Sequence, residues 1–444
     1  MNIKKWAVVF GVCFLMFLIV GGVLLKIGLD RKAYYELPDR GVPRIDIKLN
    51  GVSLEEINGG SKDIKYGGNE LNIYGEGRIV GYEDVEVKGR GNGTWVQEKK
   101  PYQIKFKDRV DLFGMGGARK WYLLANAVDA TNLRTAAAFY LEDMLNMKYR
   151  FEGEFVELYI NSEYEGLYYL THAVEIDKNV VDLKDSMGIL VELDNVYGGW
   201  EKNYRTGEGD LLTIKDLVID NNSELAMADF LRAYNELEDA VNRKDYEDLQ
   251  TVADIKSFAE YYLLSEFTVN PDAYWTSFYM YKDGVEDKIH AGPGWDFDLT
   301  FGNKAWGNWM GEKFYSPTET MVRKGEFLSK EMYEEMGLIS NDMNWYEWGQ
   351  QLSKIIFNMM EVPEFREEVS KIFVERMSGR EEELVGEIYR VAERIYEAAK
   401  TNEEKWRGGN FGAELESLVD WVKKRYEYFE EEYGDGVNKR VMFL

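Results

Sequence analysis

Three aspartates and one serine are spaced along the sequence in a way that suits phosphoryl transfer. Asp272 is followed by Ser277 five residues later, and Asp296 and Asp298 come after a predicted strand-turn-strand at residues 278–290. Kinase catalytic segments contain an aspartate, a metal-binding side chain five positions on, and later an aspartate that chelates magnesium. If residues 296–298 are extended, both carboxylates point to one side and suit Mg²⁺ or Mn²⁺. Asx-turns or caps formed by Asp272 and Asp298 are the structural alternative.

A glycine-rich segment follows the strand predicted at residues 85–88. Gly89, Gly91 and Gly93 alternate with larger residues, among them Asn92. Glycine lets backbone N–H groups approach a phosphate without obstruction from a side chain. A plain hairpin turn explains these glycines equally well, and their spacing fits neither a Walker loop nor a dinucleotide-binding fingerprint.

A lysine strengthens the phosphate-binding interpretation of this loop. Lys105 lies sixteen residues after Gly89, within the predicted strand 102–106. Protein kinases hold ATP phosphates with a glycine loop and a strand lysine in a similar order. A solvated lysine on an edge strand remains the alternative. A helix from about residue 131 carries Glu142, which we expect at a solvated helix edge rather than paired with Lys105.

The elements that would position these residues change in type along the chain. Short alternating segments predict strands at residues 44–49, 72–74, 85–88, 102–106 and 121–125, and a hairpin over residues 155–170. From about residue 223 the apolar residues recur at helical spacing. The sequence therefore predicts an α+β fold, strand-rich over about 44–200 and helix-rich over about 201–444. Two parts with a cleft between them would suit this order.

The N-terminus carries an unbroken apolar run of twenty residues from Trp6 to Leu25, flanked by lysines. Twenty helical residues span about 30 Å, the thickness of the hydrocarbon core of a bilayer. The sequence predicts a short tail (1–5), an uncleaved transmembrane anchor (6–27) and a juxtamembrane linker (28–43). A short basic N-terminus favours the cytoplasm, which places residues 44–444 outside, although basic residues on both flanks nearly balance.

Composition excludes several kinds of site. Cys13, the single cysteine, lies in the apolar run, so disulfides and thiolate sites are excluded from the remainder. With only two histidines, His172 and His290, a multi-histidine metal site or a histidine triad is excluded as well. The formal net charge of −26 is expected to repel nucleic acid and favour cationic partners, and a surface charge that only maintains solubility is the alternative.

Several separated motifs, in order, resemble the CotH family of spore-coat proteins. They are GRGNGTW (89–95), KKPYQIK (99–105), KWYLLAN (120–126), YINSEYEGLY (159–168) and WDFD (295–298), with Asp129, Arg134 and Gly302 between or after them. The resemblance extends from about residue 44 to the C-terminal helices. It implies a divergent two-lobed protein-kinase-like fold and an atypical kinase that uses ATP and a divalent metal to phosphorylate protein serine or threonine.

The resemblance also implies roles for individual residues. Asp272 would be the catalytic aspartate, Asp296 a metal ligand and Lys105 a phosphate contact, while residues 89–93 would cover the nucleotide. Asp298 and Ser277 are expected as further metal ligands. Three residues depart from the family pattern: Gly93 replaces serine, His172 replaces glutamate and Ser277 replaces asparagine.

These departures leave other functions open. One alternative is a non-catalytic module on a surface or spore coat that binds a protein or polysaccharide through exposed aromatic residues. Another is phosphorylation of a carbohydrate in the same cleft. For the kinase interpretation, the expected substrate is a cationic protein, and the expected location is the membrane.

Overall fold

The computed structural model of the protein describes residues 39–75, 78–195, 203–305, 315–318 and 353–434. These ranges contain both sheets and helices, so the mixed fold expected from the sequence is confirmed. The predicted anchor at residues 6–27 lies outside them. None of the helices within these ranges is long and apolar enough to cross a membrane.

Seven strands form a sheet that closes on itself in the order β1-β2-β3-β4-β5-β7-β6. Strand β1 runs parallel to β6 and closes the sheet, while the other neighbours are antiparallel. The strands are β1 (Arg44–Lys48), β2 (Tyr66–Gly75), β3 (Arg78–Gly89), β4 (Tyr102–Asp111), β5 (Gly117–Leu124), β6 (Gly153–Ile160) and β7 (Glu163–His172).

Side-chain alternation divides the closed sheet into an apolar interior and a polar outer face. Tyr102, Ile104 and Trp121 are almost fully buried among the residues of the interior. Because successive strand residues point to opposite faces, Lys105 and Tyr122 lie on the outer face. Both are only partly buried, and the outer face of β3, β4 and β5 is therefore available to polar ligands.

A second sheet lies within the helical part of the molecule. Its strand order is β12-β11-β8-β10-β9. These strands are β8 (Ile189–Leu193), β9 (Asn203–Arg205), β10 (Leu211–Leu217), β11 (Phe278–Lys282) and β12 (His290–Ala291). The pairing of β8 with both β10 and β11 brings together segments nearly 90 residues apart in the chain.

Helices surround the second sheet and share one hydrophobic core with it. They are α1 (Leu54–Gly59), α2 (Arg134–Met144), α3 (Ser223–Arg243), α4 (Tyr246–Val252), α5 (Ile255–Thr268), α6 (Ile355–Met359), α7 (Pro363–Arg376), α8 (Glu381–Trp406) and α9 (Phe411–Tyr433). Only α1 packs instead on the core of the closed sheet, through Ile57.

Helix α5 is the central helix and leads directly into the segment that carries Asp272. Asp254 caps its N-terminus by accepting a hydrogen bond from Ser257 N, and its residues from Ser257 onward are all buried. At its C-terminal end, the fully buried Arg425 of α9 donates Nε–H to Phe267 O over 3.2 Å. A buried charge-assisted bond of this kind fixes the point at which the chain leaves the helix.

Candidate functional site

Two irregular segments meet beside the C-terminal end of α5. The first, residues 269–277, follows α5, and the second, residues 292–303, follows β12. Asn270 Nδ2 donates to Trp295 O over 3.3 Å, and Phe301 N donates to Thr268 O over 2.7 Å. Ser277 Oγ adds a 3.2 Å hydrogen bond to the Asp296 carboxylate. These bonds join the segment of Asp272 to that of Asp296 and Asp298.

The three aspartates predicted from the sequence influence one another electrostatically. Burial, with the charges of Asp296 and Asp298, raises the pKa of Asp272 well above its ordinary value. Burial and the charges of Asp296 and Asp129 raise the pKa of Asp298 to about 8. Burial also raises the pKa of Asp296, although Arg90 and Ser277 oppose the shift. Carboxylates that repel one another in a partly buried site attract a cation.

The segment that carries Asp296 and Asp298 is not extended, so the condition for strand alternation of the two carboxylates is not met. Asp296 has a left-handed φ of 66°, and residues 292–298 form no strand. Gly294, two residues before Asp296, is closely packed against Glu142 and Leu264. A Cβ on Gly294 would stand 2.4 Å from Glu142 Oε1. The electrostatic influence of Asp296 on Asp298 therefore does not arise from strand alternation.

Glu142 is neither at a solvated helix edge nor paired with Lys105. It is completely buried, and its Oε2 accepts a hydrogen bond from Phe151 N over 3.0 Å. Burial raises its pKa well above the ordinary value. Its other carboxylate oxygen lies against Gly294, so Glu142 supports the turn that carries Asp296.

The glycine-rich loop is folded against its own neighbours. A Cβ on Gly89 would stand 2.5 Å from the Trp95 ring, and Gly91 has a left-handed φ of 78°. Asn92 Oδ1 accepts a hydrogen bond from Lys62 Nζ over 2.5 Å. Gly93 begins a short 3₁₀ helix that continues to Val96. Local packing therefore accounts for Gly89 and Gly91, whatever else the loop binds.

Lys105 lies on the outer face of the closed sheet, in register with Lys120 of β5. Lys120 is paired with Glu175 over 2.5 Å. Among the residues that the structure describes, Lys105 makes no side-chain hydrogen bond or ion pair. The same outer face carries Tyr122, whose ring centroid is 5.8 Å from that of Trp295. This face of the sheet is thus turned toward the segment of the aspartates.

Two cations beside the aspartates were not assigned roles from the sequence. Arg90 of the glycine-rich loop lies 4.4 Å from the Tyr122 ring centroid and 5.7 Å from that of Trp295. Lys215 of β10 pairs with Glu192 over 3.1 Å and donates to Tyr279 over 3.2 Å. Arg90 lies within the GRGNGTW motif, which was interpreted through its glycines, whereas no local sequence pattern marks Lys215.

Two residues that depart from the expected pattern have different surroundings. His172 is buried, with its ring centroid 4.2 Å from that of Trp121 and Nε2 3.0 Å from Gly116 O. Burial lowers its pKa, so it packs as a neutral ring. Ser277, in contrast, bonds directly to Asp296.

The comparison with protein families agrees with the motifs and the geometry. The model of the family described as CotH kinase protein matches residues 86–429. The chain belongs to the CotH kinase protein family. The match includes the glycine-rich loop, Lys105 and all three aspartates, so in this CotH protein they fall within the family region. No curated protein matches the chain.

The oxygen-rich donor set of this CotH protein fits a hard divalent cation. Within the described ranges, no three or more histidine, cysteine, aspartate or glutamate side chains form a group that could hold a metal ion by themselves. Mg²⁺ in nucleotide sites is usually held by one or two carboxylates together with phosphates and waters, so a larger protein cluster is not required. Asp296, with Asp298 and Ser277 beside it, has the chemistry for this arrangement.

Proposed function

We propose that the protein is a metal-dependent atypical protein kinase that transfers the ATP γ-phosphoryl group to serine or threonine of a protein substrate. The observation that carries the proposal is the approach of Asp272, Asp296 and Asp298 to one another, beside the outer face of β3–β5 on which Lys105 and Tyr122 lie. Anionic phosphates suit Lys105, and a divalent cation suits the carboxylates. The family membership supports a kinase-like protein, and the geometry supports the assignment of roles.

The arrangement favours a two-lobed organisation of the kinase-like type. The closed sheet would serve as the nucleotide-binding lobe, with Lys105 and the glycine-rich loop facing the phosphates. The helical part with the second sheet would carry the carboxylates. Asp296, with Asp298 and Ser277, would hold Mg²⁺ or Mn²⁺. When bound, the metal offsets charge on the phosphates, which supply the group to be transferred.

Asp272 would act on the acceptor. Its turn is fixed because Asn270 Oδ1 accepts from Asp272 N over 3.0 Å and Asn270 Nδ2 donates to Trp295 O. A carboxylate fixed in this way can orient a substrate hydroxyl and accept its proton. Burial and the charges of Asp296 and Asp298 raise the pKa of Asp272, so positive charge nearby would favour its basic form.

The substrate and location follow from charge and from the N-terminal sequence. A formal net charge of −26 favours a cationic protein substrate and disfavours nucleic acid. The apolar run at residues 6–25 would anchor the chain in a membrane, with the family region outside the cytoplasm. Because ATP is scarce there, the activity would require a special compartment such as a developing spore.

The test compares the full chain with Asp272→Asn and Asp296→Asn, using Asp239→Asn on the exposed surface of α3 as the matched control. Thermal unfolding with ATP and Mn²⁺ against Mn²⁺ alone reports binding. A ligand at about a hundred times its dissociation constant stabilises a protein by roughly 2.7 kcal/mol. We expect ATP to raise the midpoint temperature of unfolding of Asp272→Asn, as in the wild type, but not that of Asp296→Asn.

Transfer of labelled phosphate to a lysine-rich protein reports catalysis. Asp272→Asn should abolish transfer while the control transfers normally. Transfer by Asp272→Asn at the wild-type rate would remove Asp272 from its proposed role. If ATP does not change the unfolding temperature of the wild type, a non-catalytic binding module is the better interpretation.

A further inference from the structure

Arg90 connects the closed sheet to the segment that carries the aspartates. Its backbone N–H donates to Pro101 O over 3.3 Å, which fixes the start of the glycine-rich loop against the start of β4. Its guanidinium lies within cation–π range of Tyr122 on the closed sheet and of Trp295, the residue before Asp296. Two aromatic rings from different parts of the molecule thus orient one side chain.

The side-chain N–H groups of Arg90 have no partner within the described residues. Three other cations around the site have carboxylate partners, whereas Lys105 has none among the described residues: Lys120 has Glu175, Lys215 has Glu192 and Arg134 has Asp129. In the described part of the chain, the guanidinium of Arg90 makes no hydrogen bond or ion pair. A guanidinium offers five N–H donors in a planar fork that matches two oxygens of a phosphate. An oriented but unpaired arginine is therefore prepared to bind an oxyanion.

The charge of Arg90 acts on the carboxylates proposed to hold the metal. The guanidinium of Arg90 lies 5.7 Å from the centroid of the Trp295 ring, and Trp295 directly precedes Asp296. The positive charge of Arg90 therefore repels a divalent cation that approaches Asp296. The same charge attracts phosphate groups that approach this site.

We propose that Arg90 is a phosphate-binding residue of the nucleotide site and that, before the nucleotide arrives, it offsets the charge of Asp296 and Asp298. This inference rests on the proposed function. It assigns Arg90 opposite effects on the two ligands: it weakens binding of the metal alone and strengthens binding of the nucleotide. A residue that only holds the loop in shape would not affect the two ligands in opposite directions.

The test uses the full chain, solubilised in mild detergent, with Arg90→Gln and Arg90→Lys. Arg232→Gln is the charge-matched control, because Arg232 is exposed on α3 and paired with Asp229 and Glu236. Mn²⁺ binding is measured by electron paramagnetic resonance without nucleotide. Binding of a non-hydrolysable ATP analogue is measured by calorimetry without metal and with Mg²⁺.

For Arg90→Gln we expect about tenfold weaker binding of the analogue, the effect of losing about 1.4 kcal/mol of charge-assisted hydrogen bonding. We expect Mn²⁺ alone to bind several-fold more tightly, because the repulsion has been removed. Arg90→Lys keeps the positive charge but loses the planar guanidinium, with its paired N–H donors and its stacking on the aromatic rings. It should therefore bind Mn²⁺ like the wild type and the analogue more weakly.

The possible results separate this inference from the proposed function. A wild type that binds the analogue, with both Arg90 variants binding it equally well, overturns the role of Arg90 and leaves the proposed function intact. A wild type that binds no analogue overturns the proposed function. If Arg90→Gln unfolds at a lower temperature than the wild type, the binding data for Arg90→Lys decide whether Arg90 binds phosphate or only maintains the structure. Weaker binding of both ligands by Arg90→Lys would show a structural role and overturn the inference.

Discussion

Ser277 Oγ donates a hydrogen bond to Asp296 Oδ2 over 3.2 Å, and both residues have left-handed backbones, with φ of 56° and 66°. Left-handed conformations cost non-glycine residues about 1–3 kcal/mol each and persist where the surrounding structure enforces them. Here two such residues meet at the junction of the two segments of the site. The strain therefore falls at the place where the metal ligands are proposed to lie.

We predict that Ser277→Asn tightens Mn²⁺ binding. Asparagine adopts left-handed backbone more readily than serine. Its amide oxygen also extends farther toward Asp296 and its proposed metal. One added neutral oxygen contact of about 1 kcal/mol corresponds to a change in dissociation constant of roughly fivefold. Electron paramagnetic resonance of Mn²⁺ measures the constant, with exposed Ser61→Asn as control. Equal affinities in Ser277→Asn and the wild type would contradict Ser277 as a ligand position.

We predict that Lys105→Met weakens nucleotide binding without affecting the binding of Mn²⁺ alone. Lys105 lies on the outer face of β4 and has no described ion-pair partner to lose, so the fold should remain intact. Loss of one charge-assisted contact should weaken binding of an ATP analogue by about tenfold. Lys48→Met, at an exposed lysine of β1 in the same sheet, is the control. If Lys105→Met binds the ATP analogue as tightly as the wild type does, Lys105 is better interpreted as a solvated lysine on an edge strand.

We predict that Arg134→Met destabilises the protein strongly. Arg134 and Asp129 form an ion pair with side-chain exposures of only 4% and 1%, and Arg134 Nε also donates to Thr300 O over 3.0 Å. Removing one partner leaves a buried carboxylate unpaired, which costs about 3–5 kcal/mol. Urea unfolding measures the change in free energy of unfolding.

Arg390→Met provides the comparison for Arg134, because Arg390 forms an exposed pair with Glu387 at 2.5 Å. Exposed pairs contribute less than about 1 kcal/mol. If Arg134→Met costs no more than Arg390→Met, the buried pair does not hold α2 against the segment that follows Asp298.

Local patterns predicted the individual elements well. The alternating segments at residues 102–106 and 121–125 fall in β4 and β5, except for the last residue of the second, and the helical spacing of the C-terminal third corresponds to α8 and α9. Such patterns depend on which side of an element is buried, and that is local information. Closure of the sheet by parallel pairing of β1 with β6 was not predicted, because it joins residues more than 100 positions apart.

Glu142 shows why the candidate site was harder to predict than the elements. From helical periodicity, a polar residue is predicted at the solvent-exposed edge of a helix if one face of that helix is exposed to solvent. Most of helix α2 is buried, including both Arg134 and Glu142, and only Asp143 is exposed. Their partners, Thr300 and Phe151, come from other parts of the chain. The spacing of Asp272, Ser277 and Asp296 could be noted from the sequence because the three residues lie within 25 positions of one another, and their catalytic and metal-binding roles stay predictions.

Glu238 of α3 provides a prediction that does not depend on ligands. It is 5% exposed, and its Oε1 accepts a hydrogen bond from Thr206 Oγ1 over 2.6 Å. Burial, opposed in part by Thr206 and Glu208 N and reinforced by Asp210, raises its pKa from 4.5 to about 7. The folded protein therefore holds this proton more tightly than the unfolded chain does.

The sign of the pH dependence follows from this difference. The contribution of Glu238 to stability is fully present below pH 4.5 and is lost as the pH rises through about 7. Glu238→Gln stays neutral, so its free energy of unfolding should rise relative to the wild type between pH 5 and 7, with little further change above pH 8. The expected slope is at most about 1.4 kcal/mol per pH unit. Urea unfolding at several pH values measures it, with Glu236→Gln, exposed two residues earlier, as the control. Parallel pH profiles for Glu238→Gln and the wild type would mean that Glu238 is charged in the folded protein throughout this range.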